Sequence, residues 1–249
     1  MFYDSHSPFP IGLYQLRILY YLLPMNKSVE LTLITGALLI TAYLLGSFPT
    51  GYLAGRMLKG IDIRAEGSGS TGATNVLRTL GKGPAVVVLL VDLLKGVGAI
   101  ALVNAFYTFA PTPILPASWQ PWLVAGAAFA ALLGHSKSIW LNFSGGKSVA
   151  TGLGVLLAMS LPVGVGTLGV FSLFLAISRI VSLSSIAGAI AVSLLMIFLK
   201  QPLPYLIFAI AAGSYVIWRH RTNIQRLLAG TEPQLGQKLA QQEESQVTS

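Results

Sequence analysis

The chain has 249 residues, of which 54% are hydrophobic and only 10% are charged, whereas a typical soluble domain has about 25% charged residues. This deficit excludes a water-soluble globular protein and indicates an integral membrane protein. The net charge of +8 is explained more simply by basic cytoplasmic loops than by nucleic-acid binding, and a chain without cysteine has no disulfide and no thiolate nucleophile.

Residues 1–29 are predicted to form an interfacial appendage ahead of the membrane domain. They mix proline, tyrosine and histidine with Arg17, and they lack the small-residue cleavage site of a signal peptide. The apolar run at 18–23 is too short to cross a bilayer, so its tyrosines are expected at the level of the lipid headgroups. A poorly ordered tail is the alternative for this stretch.

Seven apolar segments follow and predict an all-α membrane protein with about seven transmembrane helices over residues 30–228. A spanning helix needs roughly 20 apolar residues. The segments are 30–48, 84–109, 121–134, 148–160, 162–177, 181–199 and 203–218. Because two of them are shorter than a full span, five crossings with re-entrant pieces is the alternative. Residues 229–249 are predicted to be a polar, disordered C-terminal tail.

The basic residues predict the orientation of the chain. With the N-terminus outside and the C-terminus in the cytoplasm, most of the 16 Lys and Arg residues fall in cytoplasmic loops, as the positive-inside rule requires. We therefore expect a multi-pass protein of the inner (cell) membrane with its polar loops facing the cytoplasm. Arg56, Lys59, Arg219 and Arg226 are interpreted as topology signals only.

Two glycine-rich loops on this side carry the first candidate chemistry. Residues 67–72 match a dinucleotide-binding spacing, but a charged loop precedes them instead of a strand, and Asp92 lies within a membrane segment. Residues 146–148 match only the end of a phosphate-binding loop. The backbone N–H groups of such loops can converge on an anion, and Arg78 and Lys147 supply cations beside them. The loops therefore predict phosphate binding without a nucleotide fold.

Other catalytic signatures are missing from the sequence. It contains no G-x-S-x-G elbow, no acidic cluster for Mg²⁺, and no acid four residues after His135. The other histidines, His6 and His220, are too widely spaced to suggest a metal site. Asp92 and Lys95, three residues apart in a membrane segment, are expected to form an ion pair, with a structural role favoured over a catalytic one. What remains is a phosphate-handling membrane enzyme without metal or cofactor.

Short motifs occur in a fixed order between about residues 33 and 236. They are Gly46-Ser47-Phe48-Pro49, Asp62-Ile63-Arg64, Gly67-Ser68-Gly69, Gly72-Ala73-Thr74-Asn75 with Arg78, Asp92 with Lys95-Gly96, Gly134-His135, Gly145-Gly146-Lys147, Ser178-Arg179, and His220 with Asn223-Ile224 and Arg226-Leu227. This set resembles the bacterial acyl-phosphate:glycerol-3-phosphate acyltransferase family, PlsY.

The resemblance implies that a fatty acyl group passes from acyl phosphate to the 1-hydroxyl of sn-glycerol 3-phosphate. The products would be 1-acylglycerol 3-phosphate (lysophosphatidic acid) and phosphate, in the first step of phospholipid synthesis, without a metal or other cofactor. The catalytic residues would be Ser68, Arg78, Lys147 and His220. The expected substrate-binding residues are Gly67, Ser68, Gly69, Thr74, Asn75, Arg78, Gly145, Gly146, Lys147, His220 and Asn223.

Several alternatives stay open at this point. Either a substrate phosphate or His220 takes the proton of the attacking hydroxyl, and an organic-phosphate transporter is the second functional class. The oligomeric state is not assigned. The chain also departs from the usual motifs of the family. Ser70 replaces Asn, Lys137-Ser138 replaces Phe-Pro, and Ser144 and Ser148 replace a basic residue and a glycine.

Overall fold

The computed structural model describes residues 26–110 and 114–237, and in these residues regular structure is helical apart from one isolated β-bridge between Ser138 and Ser144. The α-helices are α1 Lys27–Ser47, α2 Thr50–Lys59, α3 Ala73–Leu80, α4 Lys82–Phe109, α5 Gln120–Ser136, α6 Val149–Met159, α7 Leu161–Ser178, α8 Val181–Phe198, α9 Leu203–Arg219 and α10 Arg221–Leu228. Most of the predicted N-terminal appendage and the end of the predicted tail lie outside the described residues.

The predicted apolar segments correspond to α1 and to α4 through α9, so the all-helical class is confirmed. Within residues 26–110 and 114–237, four stretches are long and apolar enough to cross a membrane: Lys27–Lys59, Lys82–Phe109, Leu161–Ser178 and Val181–Phe198. Val149–Met159 and Leu203–Arg219 are apolar but shorter. Helix α6 has 11 residues, which corresponds to about 16 Å, or roughly half of a hydrocarbon core.

The chain divides into two compact units, Met1–Gly36 and Ala37–Ser249, and the described part of the first is the beginning of α1. In the second unit, α4 packs against α3, α5 and α6. Helix α7 packs against α6 and α8, and α9 packs against α8 and α5. Each functional loop therefore begins or ends on a helix that is fixed by its neighbours.

Close helix packing in this unit depends on glycines without side chains. A Cβ atom on Gly96 would overlap the carbonyl of Thr151, and one on Gly154 would overlap the carbonyl of Leu93. These contacts bring the backbones of α4 and α6 together, which is the usual role of small residues between membrane helices. As a result, α6 and the loop before it are held firmly against α4.

The predicted ion pair in α4 forms and is buried. The Lys95 Nζ atom lies 2.9 Å from Oδ1 of Asp92 and also donates to the carbonyl of Phe48 at 3.1 Å. The Nδ1 atom of His135 lies 3.7 Å from the same Asp92 oxygen. Phe48 lies in the break between α1 and α2, where the helix ends before Pro49. The pair thus joins α4 to the break that precedes the first loop and to the end of α5.

Candidate active site

The first loop is organised by Asn75, which is buried in α3. Its Nδ2 atom donates to the carbonyls of Ile63, Glu66 and Ser70, and its Oδ1 atom accepts from the backbone N–H of Ser68 at 2.9 Å. The donors and the acceptor of this amide are therefore already paired within the protein. This arrangement shapes the loop. It also means that Asn75 has no free donor for the predicted contact with a substrate.

Two glycines turn the first loop so that its polar groups face a cavity. Gly67 and Gly69 have φ angles of 57° and 67°, in the left-handed region that favours glycine. Ser68 lines the cavity between them. Thr74 and Arg78 also line it, since residues four apart lie on one face of α3. The loop and the helix after it thus present two hydroxyls and one guanidinium to the same space.

The second loop joins α5 to α6 and ends with Lys147. The N–H of Gly146 donates to the carbonyl of His135 at 3.2 Å, and a Cβ atom on Gly146 would overlap the His135 imidazole. On the other side of Lys147, Ser148 has a φ of 63°, and its hydroxyl donates to the carbonyl of Leu132 at 2.7 Å. Lys147 therefore lies between two fixed residues, and it lines the cavity.

The serines at which the chain departs from the family's usual motifs form hydrogen bonds with the protein backbone. The Ser70 hydroxyl accepts from the N–H of Gly72 at 3.3 Å, and the Ser138 hydroxyl donates to the carbonyl of Ser47 at 2.6 Å. The left-handed backbone of Ser148 explains why glycine is usual there, because that conformation costs a glycine nothing. These serines are thus integrated into the hydrogen bonding of the folded chain.

Arg64 connects the first loop to the second. Its guanidinium pairs with Asp62, with Nη2 2.7 Å from Oδ2, and its Nη1 donates to the carbonyl of Leu141 and to the hydroxyl of Ser144 at 2.8 Å. The hydrogen bond from Arg64 lowers the pKa of Asp62 to about 2, so the pair is charged at neutral pH. The family usually has a basic residue at position 144. In this chain, Ser144 accepts a hydrogen bond from Arg64 of the other loop instead.

The third polar segment begins where α9 ends. The Nδ1 atom of His220 lies 2.8 Å from the carbonyl of Val216, and because a carbonyl only accepts, Nδ1 carries the hydrogen. The neutral ring then has Nε2 as an acceptor. The Nζ atom of Lys147 donates to Oδ1 of Asn223 in α10. This bond joins the second loop to the third segment, although the two residues are far apart in the sequence.

Glu232 adds a carboxylate that is not among the predicted site residues. Its Oε1 atom accepts from the hydroxyl of Ser182 at 2.7 Å and from Nδ2 of Asn223 at 2.6 Å, and its Oε2 atom accepts from Nε of Arg226 at 2.6 Å. Burial raises the pKa of Glu232, but these three bonds together lower it below the ordinary value. The predicted tail thus contains a buried, charged residue near its start.

One cavity of about 310 Å³ brings the three polar segments together. Its polar lining comes from the two loops, from the junction of α9 and α10, and from Glu232. Side chains of the helices add to it, namely Asp92, His135, Thr167, Ser182 and Ser185. Its apolar lining comes from α6, α7, α8 and α9 and includes Leu156, Leu168, Phe171, Val192 and Phe208. From His220 to Phe208 the cavity follows α9 for twelve residues, a length of about 18 Å. The space is therefore suited to a molecule with an anionic head and a long apolar chain.

Charge at the polar end of the cavity is mainly positive. Burial, together with the nearby Arg226, Arg219 and Arg78, lowers the pKa of Lys147 to about 8, although Glu232 opposes this shift. Lys147 still carries a proton for most of the time at neutral pH. Burial also lowers the pKa of His220 to about 4, so this ring is neutral there. Two cations beside a neutral imidazole can bind phosphate and hydrogen-bond a hydroxyl.

The structure separates the predicted site residues into two groups. Ser68, Thr74, Asn75, Arg78, Lys147, His220 and Asn223 all line the cavity. Gly67, Gly69, Gly145 and Gly146 do not line it, and they act on the backbone of the two loops instead.

Sequence reasoning also missed contributors to the site. Arg219 donates to the carbonyls of both Gly145 and Gly146, and Arg226 donates to Glu232. The interpretation of Arg219 and Arg226 as topology signals only is therefore wrong, because both form hydrogen bonds inside the polar network. In the sequence, Arg219 lies in the polar cluster at 219–223, and Arg226 lies in the family motif that also contains His220 and Asn223.

Comparison with known proteins agrees with this arrangement. Residues 36–230 match the family model for glycerol-3-phosphate acyltransferase. The chain belongs to the glycerol-3-phosphate acyltransferase family. A glycerol-3-phosphate acyltransferase of Nostoc sp. is 66% identical over 215 residues, which cover 84% of this chain and 95% of the relative.

Two solved structures of this family are also similar. Both are crystal structures of PlsY (YgiH), an integral membrane glycerol 3-phosphate acyltransferase. The glycerol 3-phosphate form has a TM-score of 0.73 and 38% identity, and the alignment covers 81% of this chain and 96% of that one. The lysophosphatidic acid form has a TM-score of 0.70 and 37% identity, with 81% and 95% covered. Family membership confirms the resemblance stated from the motifs and the multi-pass membrane character of the chain.

Proposed function

We propose that this protein transfers a fatty acyl group from acyl phosphate to the 1-hydroxyl of sn-glycerol 3-phosphate, forming lysophosphatidic acid and phosphate. The cavity with Arg78 and Lys147 at one end and apolar side chains along the rest supports this reaction most directly. The related PlsY structures in glycerol 3-phosphate and lysophosphatidic acid forms name an acceptor and a product with this chemistry.

The proposed reaction needs no covalent enzyme intermediate. The hydroxyl oxygen of glycerol 3-phosphate attacks the acyl carbonyl carbon, a new ester bond forms, and the bond from that carbon to the phosphate oxygen breaks. The hydroxyl proton leaves on a phosphate oxygen of a substrate. Arg78 and Lys147 neutralise the phosphates and hold the reacting groups together, which is where such an enzyme gains most of its rate.

His220 has a geometry suited to orienting the acceptor in this scheme. Its Nδ1 hydrogen is used by the carbonyl of Val216, so Nε2 can accept a hydrogen bond from the attacking hydroxyl. The same atom could take the proton as a general base, which is the competing mechanism. Ser68, on the first loop, offers a further hydroxyl to a phosphate oxygen.

We also propose the membrane arrangement that the basic residues favour. Seven segments would cross or enter the bilayer, with the N-terminus outside and the polar end of the cavity at the cytoplasmic face of the inner membrane. The chain lacks cysteine, so single cysteines can be placed cleanly at Lys137 and Lys200. A membrane-impermeant maleimide added to intact cells should label the cysteine at 200 and spare the one at 137, and the reverse result would overturn this orientation.

The reaction is tested with the purified protein in lipid nanodiscs. Palmitoyl phosphate and sn-glycerol 3-phosphate together should release phosphate and form lysophosphatidic acid, whereas either substrate alone should not. A transporter would instead carry glycerol 3-phosphate into sealed vesicles without any acyl donor. Acyl phosphate that stays intact beside glycerol 3-phosphate would refute the acyltransferase proposal.

A matched pair of variants locates the activity in the cavity. Lys147→Gln should lower kcat/KM by about 10²–10³, the usual effect of removing one preorganised donor. Lys137→Gln removes the same charge from an exposed position in the same loop and should retain activity. Equal losses in the two variants would place the chemistry outside this cavity.

A further inference from the structure

Arg219 holds the backbone of the second loop from the side of α9. Its Nη2 atom donates to the carbonyl of Gly146 at 2.8 Å and to that of Gly145 at 3.2 Å. Arg219 does not line the cavity, so these contacts are not part of a substrate pocket. The guanidinium is bound to the two peptide groups directly before Lys147.

The opposite side of this backbone is fixed by α5. The N–H of Gly146 donates to the carbonyl of His135, and a Cβ atom on Gly145 would overlap that same carbonyl. The two glycines therefore lie between the end of α5 and the guanidinium of Arg219. Removing Arg219 would leave the carbonyls of Gly145 and Gly146 without their hydrogen bonds on the side of α9.

We propose that Arg219 is a positioning residue that places Lys147 against the substrate phosphate by fixing the carbonyls of Gly145 and Gly146. It acts through Lys147 and does not touch substrate itself. Because Arg219 immediately precedes His220, the end of α9 sets both the second loop and the site histidine. This inference rests on the proposed binding of glycerol 3-phosphate.

Arginine is suited to this task for a chemical reason. One planar guanidinium amino group serves two adjacent carbonyls, whereas lysine offers a point charge on a flexible chain. A neighbouring arginine lacks such contacts. Arg221 is exposed and stacks over the ring of Trp218, with its guanidinium carbon 4.9 Å from the ring centre. Arg221 is therefore a matched control with the same charge in the same segment.

The test is calorimetric titration of sn-glycerol 3-phosphate into the protein in nanodiscs. Arg219→Gln should weaken binding by about tenfold, the effect of losing hydrogen bonds from a charged donor, and Arg221→Gln should leave binding unchanged. If Arg219 acts through Lys147, the double variant Arg219→Gln/Lys147→Gln should bind no more weakly than Lys147→Gln alone. Simple addition of the two effects, or wild-type binding by Arg219→Gln, would overturn the proposal.

Two further measurements keep the test decisive. Arg219→Lys retains the charge and should show an intermediate affinity, so it replaces Arg219→Gln if that variant does not fold. Arg219→Lys could bind with wild-type affinity while the double variant Arg219→Gln/Lys147→Gln still binds no more weakly than Lys147→Gln. That result would show that the charge alone matters, and it would also overturn the proposal. Absence of glycerol 3-phosphate binding in the wild-type protein would instead refute the proposed function.

Discussion

Lys147 donates a hydrogen bond to the side-chain oxygen of Asn223, so the loop after α5 and the first turn of α10 share one polar site. Asn223 in turn donates to Glu232, and Arg226 donates to the other oxygen of the same carboxylate. The cation expected to meet a phosphate is therefore oriented by neutral and acidic partners before any substrate arrives. Such preorganisation reduces the reorganisation that the reaction itself would require.

The activity should decrease at alkaline pH because Lys147 loses its proton. Its folded-state pKa of about 8 lies below the ordinary value of 10.5, so its charge is present below about pH 8 and is lost as the pH rises through that value. Since kcat/KM reports the free enzyme, it should fall above about pH 8. Lys147→Arg should move this decrease to higher pH, because arginine stays charged. An unchanged alkaline limb in that variant would contradict the assignment.

Replacement of His220 distinguishes the two proton acceptors. If a substrate phosphate takes the proton, His220→Gln should retain substantial turnover, because glutamine can still accept a hydrogen bond from the hydroxyl. The acid limb of kcat/KM should also stay near pH 6, where the dianion of a phosphate monoester becomes a monoanion, and should not move with the variant. Loss of nearly all turnover while glycerol 3-phosphate still binds would favour the histidine as base.

Alanine at Gly146 should disturb the site, whereas alanine at Gly98 should not. A Cβ atom at Gly146 would overlap the His135 ring, so the second loop must shift, and kcat/KM should fall by at least about tenfold. Gly98 in α4 has open space where a methyl group would lie, with nothing within 4 Å of that position. Gly98→Ala should match the wild type in activity and equal or exceed its thermal stability. Equal activity of the two variants would argue against tight packing of the loop.

Breaking the ion pair in α4 should destabilise the protein more than removing it. Asp92→Asn leaves the ammonium of Lys95 buried beside a neutral group, which typically costs about 3–5 kcal/mol. Asp92→Asn/Lys95→Met removes both charges and should recover much of this loss. Thermal unfolding in detergent measures both variants, and a double variant less stable than the single one would contradict a mainly structural pair.

A larger residue deep in the cavity should shift the preference toward shorter acyl chains. Val192 is the deepest α8 residue in the lining, ten residues or about 15 Å along the helix from Ser182. Val192→Phe should reduce turnover of palmitoyl phosphate relative to decanoyl phosphate. Ile190→Phe, on the exposed face of α8, is the control and should keep the wild-type ratio. A changed ratio in the control alone would place the acyl chain elsewhere.

The sequence was sufficient for the membrane helices and for two cations that line the cavity. Long apolar runs predict α1 and α4 through α9, because a helix that crosses a bilayer must be apolar over its length. Arg78 and Lys147 can be recognised as cations beside or within glycine-rich loops. Motif order then identified the family. These features depend on local sequence, which a single chain shows directly.

The supporting residues could not be predicted in the same way. Arg219 donates to the backbone carbonyls of Gly145 and Gly146. Because every residue has a carbonyl, no sequence pattern identifies these two as its partners. By composition, Glu232 belongs to a polar tail. Its hydrogen-bond partners are Ser182, which is far away in the sequence, and Asn223, which lies in α10. Asn75 was expected to meet a substrate, yet its amide is used by the loop around it. Such roles arise from tertiary contacts alone.

The cavity assigns the two ends of its ligand to different parts of the chain. In the proposed reaction the head would meet loops whose glycines and arginines constrain one another. The acyl tail would lie along α7, α8 and α9, where one apolar side chain can replace another. Mutations that adjust the protein to a new fatty-acid composition can therefore accumulate without altering how phosphate is handled. An organism that changes the fluidity of its membrane could retune this enzyme at a few helix positions and leave its chemistry intact.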